Sequence, residues 1–114
     1  MNVNSEDMME TANEACELLK ALSNRHRLLI LCQLIDGERS VGQLAEFLGI
    51  RDSTVSQHLA LLRREKLIAG RRDGQTIWYH IESHPAREIV TALYQTYCAP
   101  NDADTGATAE TQCG

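Results

Sequence analysis

A mainly α fold with one β-hairpin, in the order four helices, hairpin, helix, is predicted by three features of the sequence. Apolar residues recur at helical spacing in four segments between about residues 5 and 66, separated by capping residues or glycines. A period-two alternation of Ile77, Tyr79 and Ile81 against Trp78 and His80 then follows Asp73-Gly74, which signals paired strands and a tight turn. Helical spacing returns after Pro85, a residue suited to the first turn of a helix.

The first helix is expected over Ser5 to Leu22. Met8, Ala12, Ala15, Leu19 and Leu22 form its apolar face, and Glu6, Asp7 and Glu10 complement the dipole in its first turns. Ser23 interrupts this pattern and is the expected cap of a second helix, whose apolar run Leu28 to Ile35 stops at Asp36-Gly37. Ser40 with Gln43 three residues on is a capping box that opens a short third helix ending at Gly49. The fourth runs from about Asp52 to Lys66 behind a Val55, Leu59, Leu62 stripe. Leu67 to Arg72 and Thr76 to Glu82 are the expected strands, and a last helix over 84–98 carries Ile89, Val90, Leu93, Tyr94 and Tyr97. Residues 1–98 thus form one folded unit, and 99–114, built of small and polar residues without an apolar period, are expected to be a flexible tail.

Composition narrows the function classes. A chain of 114 residues with a 43% hydrophobic fraction supports one domain with a modest core. No stretch approaches the roughly 18 apolar residues of a membrane span, and the acidic start lacks a signal-peptide layout, so no membrane association and a cytoplasmic location are expected. The net charge of −5 hides a division: residues 51–80 carry +3, and the segments on either side carry −4 each. A basic band in an acidic molecule lets one face meet phosphates while the rest repels them. Cys16, Cys32, Cys98 and Cys113 include no CxxC pair, so neither a disulfide framework nor a zinc knuckle is indicated. No nucleophile–base pair or phosphate-binding loop is present, and no enzyme activity or cofactor is expected.

The third helix, a three-residue turn and the fourth helix make a helix-turn-helix pattern. In such a pair the second helix enters the major groove while the first braces it. With Val55, Leu59 and Leu62 against the core, Ser53, Thr54, Ser56, Gln57, Ala60 and Arg64 lie on the outer side. Hydroxyls and an amide there suit base edges and phosphates of double-stranded DNA, and Gln57 can pair bidentately with adenine. Arg63, with Arg71, Arg72 and Gln75 of the hairpin, would touch the backbone or minor groove. A polar helix face alone is common; a basic hairpin directly after it is what points to DNA. His58 lies beside the apolar stripe and is expected to pack. Ala12, Ala15 and Leu19 with Val90, Leu93 and Tyr97 offer more apolar surface than a small monomer leaves bare, which predicts a homodimer.

Several segments resemble one family. Ser53-Thr-Val-Ser-Gln-His-Leu-Ala-Leu-Leu-Arg63, Leu67-Ile-Ala-Gly-Arg-Arg72, Asp73-Gly-Gln-Thr-Ile-Trp-Tyr79 and Leu22-Ser-Asn-Arg-His-Arg-Leu28 are similar, in order and spacing, to the ArsR/SmtB winged helix-turn-helix repressors. The resemblance covers about residues 15–98. It implies a homodimer built on the first and last helices and repression relieved by an inducer; with the 53–64 helix and the basic hairpin, such a dimer is expected to occupy an inverted-repeat operator. Arg51-Asp52 departs from the small polar residue and Gln of many members. Asp52 is expected to cap the fourth helix and is given no base contact, since it would repel a phosphate.

The same resemblance bears on what is sensed. Members that bind metal in the third helix have a Cys-x-Cys pair, and residues 41–48 hold no cysteine. Members that bind metal along the last helix use paired Asp and His ligands; His84 and Glu88, with His80, lack a second His pair and fit ordinary surface residues, so no metal site is assigned. From the residues alone, Cys32 and Cys98 fit two inert buried thiols. Their surroundings, Leu31-Cys32-Gln-Leu-Ile-Asp-Gly-Glu38 and Ala92-Leu-Tyr-Gln-Thr-Tyr-Cys98, resemble the branch that responds to reactive sulfur species. That likeness implies a dithiol switch of Cys32 and Cys98 with reactive sulfur or an oxidant as inducer. The alternatives are a repressor responding to arsenite or a thiophilic metal, with Cys16 as third thiolate, an inducer-free regulator of the same family, and a winged-helix module that binds protein.

Overall fold

Helix starts are fixed by side chains that satisfy N–H groups the helix itself leaves unpaired. In a computed structural model, which describes residues 5–98, α1 spans Ser5–Leu22, α2 Arg25–Ile35, α3 Val41–Leu48 and α4 Asp52–Arg64. Strands β1 (Ile68–Asp73) and β2 (Thr76–Ile81) follow, then α5 (His84–Leu93), which runs on into a π-helical turn, Tyr94–Cys98. The expected tail over 99–114 lies outside the described residues.

The caps refine the expected boundaries. Asn24, one residue after the expected Ser23, is the N-cap of α2, its Oδ1 accepting the Arg27 N–H at 3.1 Å. Both bonds of the Ser40–Gln43 capping box are present, at 3.2 and 3.1 Å. Gly49 closes α3 with φ 71°, a left-handed conformation that glycine adopts without a Cβ clash. Ser83 caps α5 through a 3.2 Å bond from the Ala86 N–H, with Pro85 in the first turn.

α4 stops two residues before the expected Lys66. Lys66 takes φ 64°, its N–H bonds the Arg63 carbonyl at 2.9 Å, and the Leu67 N–H bonds the Leu62 carbonyl at 2.9 Å. This is a Schellman termination with lysine where glycine is usual, which is why the sequence shows no stop there. β1 begins one residue later than expected, after this termination, and reaches Asp73, while β2 starts at Thr76 as expected and ends one residue early, at Ile81, the partner of Ile68.

In the hairpin Asp73 pairs with Thr76, so the loop is Gly74–Gln75 rather than the expected Asp73-Gly74. Gly74, with φ 67°, carries the left-handed conformation that a two-residue hairpin loop needs. Gly70 pairs with Tyr79, and a Cβ there would stand 2.8 Å from Ile77 Cγ2 and 3.2 Å from Tyr79 Cε1. The missing side chain leaves room for the Tyr79 ring close against β1. β2 has a second neighbour as well. Arg39, just before α3, exchanges both backbone hydrogen bonds with Tyr79, at 3.2 and 2.8 Å.

The core forms where α2 meets α3, α4 and α5. Ile30, Leu31 and Leu34 of α2, Leu44 of α3, Val55, Leu59 and Leu62 of α4, and Val90 of α5 are fully buried. The α4 stripe is the one expected. Val90 is a correction: it faces this chain's own core and leaves no surface for a second copy. The π-helical turn corrects the expected α-helix over 84–98, because apolar spacing through Val90, Tyr94 and Tyr97 does not distinguish a widened last turn from a regular one.

Candidate nucleic-acid interface and cysteine sites

α3 packs against α4, and burial of Val55, Leu59 and Leu62 turns the opposite face of α4 to solvent. Ser53, Ser56, Gln57, Ala60, Arg63 and Arg64 are exposed there and Thr54 is half-buried, so all the expected α4 residues fall on one accessible side. Arg63 and Arg64 occupy the last turn, where cations complement the helix dipole. The start differs from expectation. Arg51, in extended conformation, is the N-cap and makes no side-chain capping bond, while Asp52 is the first residue inside the helix. An arginine cannot accept the orphan N–H groups, so the neighbouring carboxylate helps only through its charge.

The hairpin residues divide. Arg72 and Gln75 are exposed at the distal end, with Arg72 Nη1 3.5 Å from the Gly74 carbonyl. Arg71 is committed elsewhere. Its Nε and Nη2 donate to the two carboxylate oxygens of Glu38, at 3.1 and 2.7 Å. The Arg71 hydrogen bond holds the Glu38 carboxyl below the usual carboxylate range and raises Arg71 in turn. His80 lies beside the pair, with Nδ1 3.8 Å from Glu38 Oε2 and Nε2 3.2 Å from Glu82 Oε1. Glu38 is the residue that sequence reasoning missed. No local pattern marks a partner 33 positions away.

His58 packs, as expected. Its ring meets that of His26 on α2 edge-on, with centroids 5.6 Å apart. Burial lowers its pKa first, and the nearby Arg27 and His26 lower it further. Arg27 closes the end of α1, its Nε donating to the Ala21 carbonyl at 2.7 Å.

Cys32 is half-buried on α2, and burial pushes its thiol up from the ordinary value. α2 packs against α5, and the π-helical turn that continues α5 ends at Cys98. The Cys98 side chain, like all of Cys113, lies outside the described residues. Cys16 is exposed on α1. His84 pairs with Glu88 at 3.2 Å, and no group of three or more His, Cys, Asp or Glu side chains suited to a metal ion occurs among the described residues. No helix among them is long and apolar enough to cross a membrane.

Comparison with known proteins agrees with this architecture. The model of the bacterial regulatory protein, arsR family, matches residues 24–69, from the α2 cap to the start of β1. Transcriptional activator HlyU of Vibrio cholerae is 40% identical over 99 residues, 87% of this chain and 92% of the relative. The biofilm growth-associated repressor of Xylella fastidiosa is 43% identical over 94 residues, 82% of each chain. The structure of reduced HlyU from Vibrio cholerae superposes with a TM-score of 0.80 at 40% identity, over 82% of this chain and 99% of that one. The Mycobacterium bovis domain Mb0332, described as a homodimeric winged helix-turn-helix DNA-binding domain, superposes with a TM-score of 0.70 at 28% identity, over 84% and 89%.

Proposed function

Given that the chain belongs to the ArsR family of bacterial transcriptional regulators, with the winged helix-turn-helix fold, we propose that it is a dimeric, cytoplasmic repressor of an inverted-repeat operator, released by a thiol switch. The observation that carries this reading is the exposed face of α4, set on a fully buried stripe and followed by a basic wing. Ser53, Thr54, Ser56 and Gln57 read base edges and phosphates; Arg63, Arg64, Arg72 and Gln75 hold the backbone or minor groove. The relatives' names include a transcriptional activator and a repressor, so control of transcription is what they share, and the repressor role is the reading taken here.

The dimer draws support from exposed apolar side chains on the two terminal elements. Met8, Met9 and Leu19 of α1 are 58, 69 and 53% exposed, and Tyr97 of the π-helical turn is 63% exposed. With Val90 withdrawn into the core, Leu93 and Tyr97 are what the C-terminal end contributes.

Cys32 and Cys98 are the sensing pair in this reading. A Cys98 thiolate attacks a polysulfide, one sulfur–sulfur bond breaks, and a persulfide forms as the shortened polysulfide leaves. The Cys32 thiolate then attacks the Cys98 sulfur and expels hydrosulfide, closing a disulfide. Burial pushes the Cys32 thiol up, so it meets an external polysulfide less readily as a thiolate and must give up its proton before it attacks the Cys98 persulfide. The bridge ties α2 to the end of α5 and shifts the spacing of the two α4 helices. A hundredfold loss of DNA affinity requires about 2.7 kcal/mol between two dimer arrangements, within the usual range of allosteric coupling.

Operator binding by the reduced protein, before and after polysulfide, peroxide or arsenite, tests the whole reading alongside intact mass. Polysulfide should release an inverted-repeat duplex and join the peptides holding residues 32 and 98, with recovery by a thiol reductant. Release by the Cys32→Ser, Cys98→Ser variant as readily as by wild type overturns the dithiol step. Release by arsenite alone favours the metal-responsive alternative.

A further inference from the structure

Arg71 lies in the basic wing yet gives its guanidinium to Glu38, which belongs to the α2–α3 connection and not to the hairpin. The contact is bidentate, the arginine–carboxylate geometry that fixes direction as well as distance. Directly beside it the main chain makes a second attachment, because Arg39 exchanges two hydrogen bonds with Tyr79. Arg71 itself pairs across the hairpin with Trp78, the neighbour of Tyr79. Two successive residues of one connection therefore grip both strands of the wing, one through a side chain and one through the backbone. The remaining wing arginine, Arg72, makes among the described residues a single long hydrogen bond, to Gly74 in its own loop.

We infer that Glu38 and Arg71 are positioning residues: their ion pair clamps the wing to the α2–α3 connection at the angle that brings Arg72 and Gln75 to the DNA, and Arg71 is not itself a phosphate ligand. The inference rests on the DNA-binding reading and changes one of its terms. An arginine in a wing is expected to add to phosphate affinity. Here that arginine is already neutralised by a carboxylate that would repel the backbone if the arginine left it. The clamp also joins the connection leaving the Cys32 helix to the wing, so wing angle and α2 position are mechanically linked.

The two roles give opposite signs for Glu38→Ala. A clamp predicts weaker operator binding by about fivefold, the scale of one well-oriented surface ion pair. It also predicts a shallower salt dependence, because Arg72 loses its phosphate, and faster amide exchange over 68–81. Arg71→Ala should match it, the double variant should be no worse than either single one, and exchanging the charges (Glu38→Arg with Arg71→Glu) should restore binding. A phosphate-contacting Arg71 predicts the reverse for Glu38→Ala: a freed guanidinium and a removed negative charge would tighten binding and steepen the salt slope. Tighter binding by Glu38→Ala, or failure of the exchanged pair to recover, overturns the clamp. If the wild-type protein binds no duplex at all, the DNA-binding reading falls and the clamp falls with it.

Discussion

The segment from Asn24 to Ile81 and the two terminal elements are built on different terms. Within 24–81, two helices begin at side-chain caps, α3 and α4 are closed by left-handed residues, and nearly every large apolar side chain is covered. In α1, every described side chain from Asp7 to Glu17 is exposed, and only Ala21 and Leu22 at its far end are buried. Helices in proteins draw most of their stability from packing an apolar face, and over this stretch α1 packs none within the chain. The difference teaches that the DNA-reading unit holds most of the buried core, whereas α1 and the Tyr94–Cys98 turn leave large apolar side chains exposed, the surface that the proposed dimer would cover.

The largest effect should come from truncating one side chain in each region. Leu62→Ala removes a fully buried side chain where α4 meets the core, and should cost about 2–5 kcal/mol in urea unfolding. Leu19→Ala should change unfolding of the monomer by no more than about 0.5 kcal/mol, yet weaken self-association measured by sedimentation. Equal losses of stability at low protein concentration would erase the distinction between the two regions.

A mid-sized effect is expected at the wing. Gly70→Ala places a methyl group 2.8 Å from Ile77 Cγ2, and Tyr79, buried beneath, has little room to yield. The strain should cost about 1–2 kcal/mol. DNA affinity should fall further than stability, because the wing is displaced as well as destabilised. An unchanged unfolding midpoint would show that the Ile77 side chain, itself only half-buried, absorbs the strain by rotating.

Lys66→Gly probes the α4 end of the reading unit. A lysine at φ 64° carries about 1 kcal/mol of conformational cost that glycine avoids, offset in part by the greater freedom of an unfolded glycine. A net gain of about 0.5 kcal/mol is expected, read as a higher urea midpoint with an unchanged slope. A loss would mean that the Lys66 side chain contributes to the fold.

How far the sequence reveals these regions depends on the range of the interaction. Caps act over three residues, so Ser40–Gln43 is plain on inspection, and the choice between Ser23 and Asn24 is only a one-residue shift between two good capping residues. Period is equally local, so the Val55, Leu59, Leu62 stripe and the face opposite it are legible. Val90 misleads because an apolar helix position does not say whose core it enters. The Arg71–Glu38 pair is invisible because charge in a wing looks the same whether it meets a phosphate or a carboxylate. Lys66 hides the end of α4 because the usual glycine is missing there.

The smallest effect concerns whether the reading unit is held by apolar contacts alone. His58, on α4, meets His26 of α2 edge-on, and Arg27 adds a positive charge nearby. Burial and these charges lower the His58 pKa below its unfolded value of about 6.5, so the folded state prefers the neutral ring. A group with a depressed folded pKa contributes stability that is present above the unfolded value and is lost as pH falls through the folded one. Stability should therefore decline as pH drops below about 6.5, as the ring must take up a proton beside Arg27. Because His58 is only half-buried, water screens much of the repulsion, and the loss should be a few tenths of a kcal/mol, about the scale of exposed charge pairs. His58→Gln removes the titrating ring, so its urea midpoint should fall less than that of wild type between pH 7.5 and 5.5. Parallel declines in the two proteins would place the acid sensitivity elsewhere, and would leave the α2–α4 contact governed by Leu59, Leu62 and their apolar neighbours.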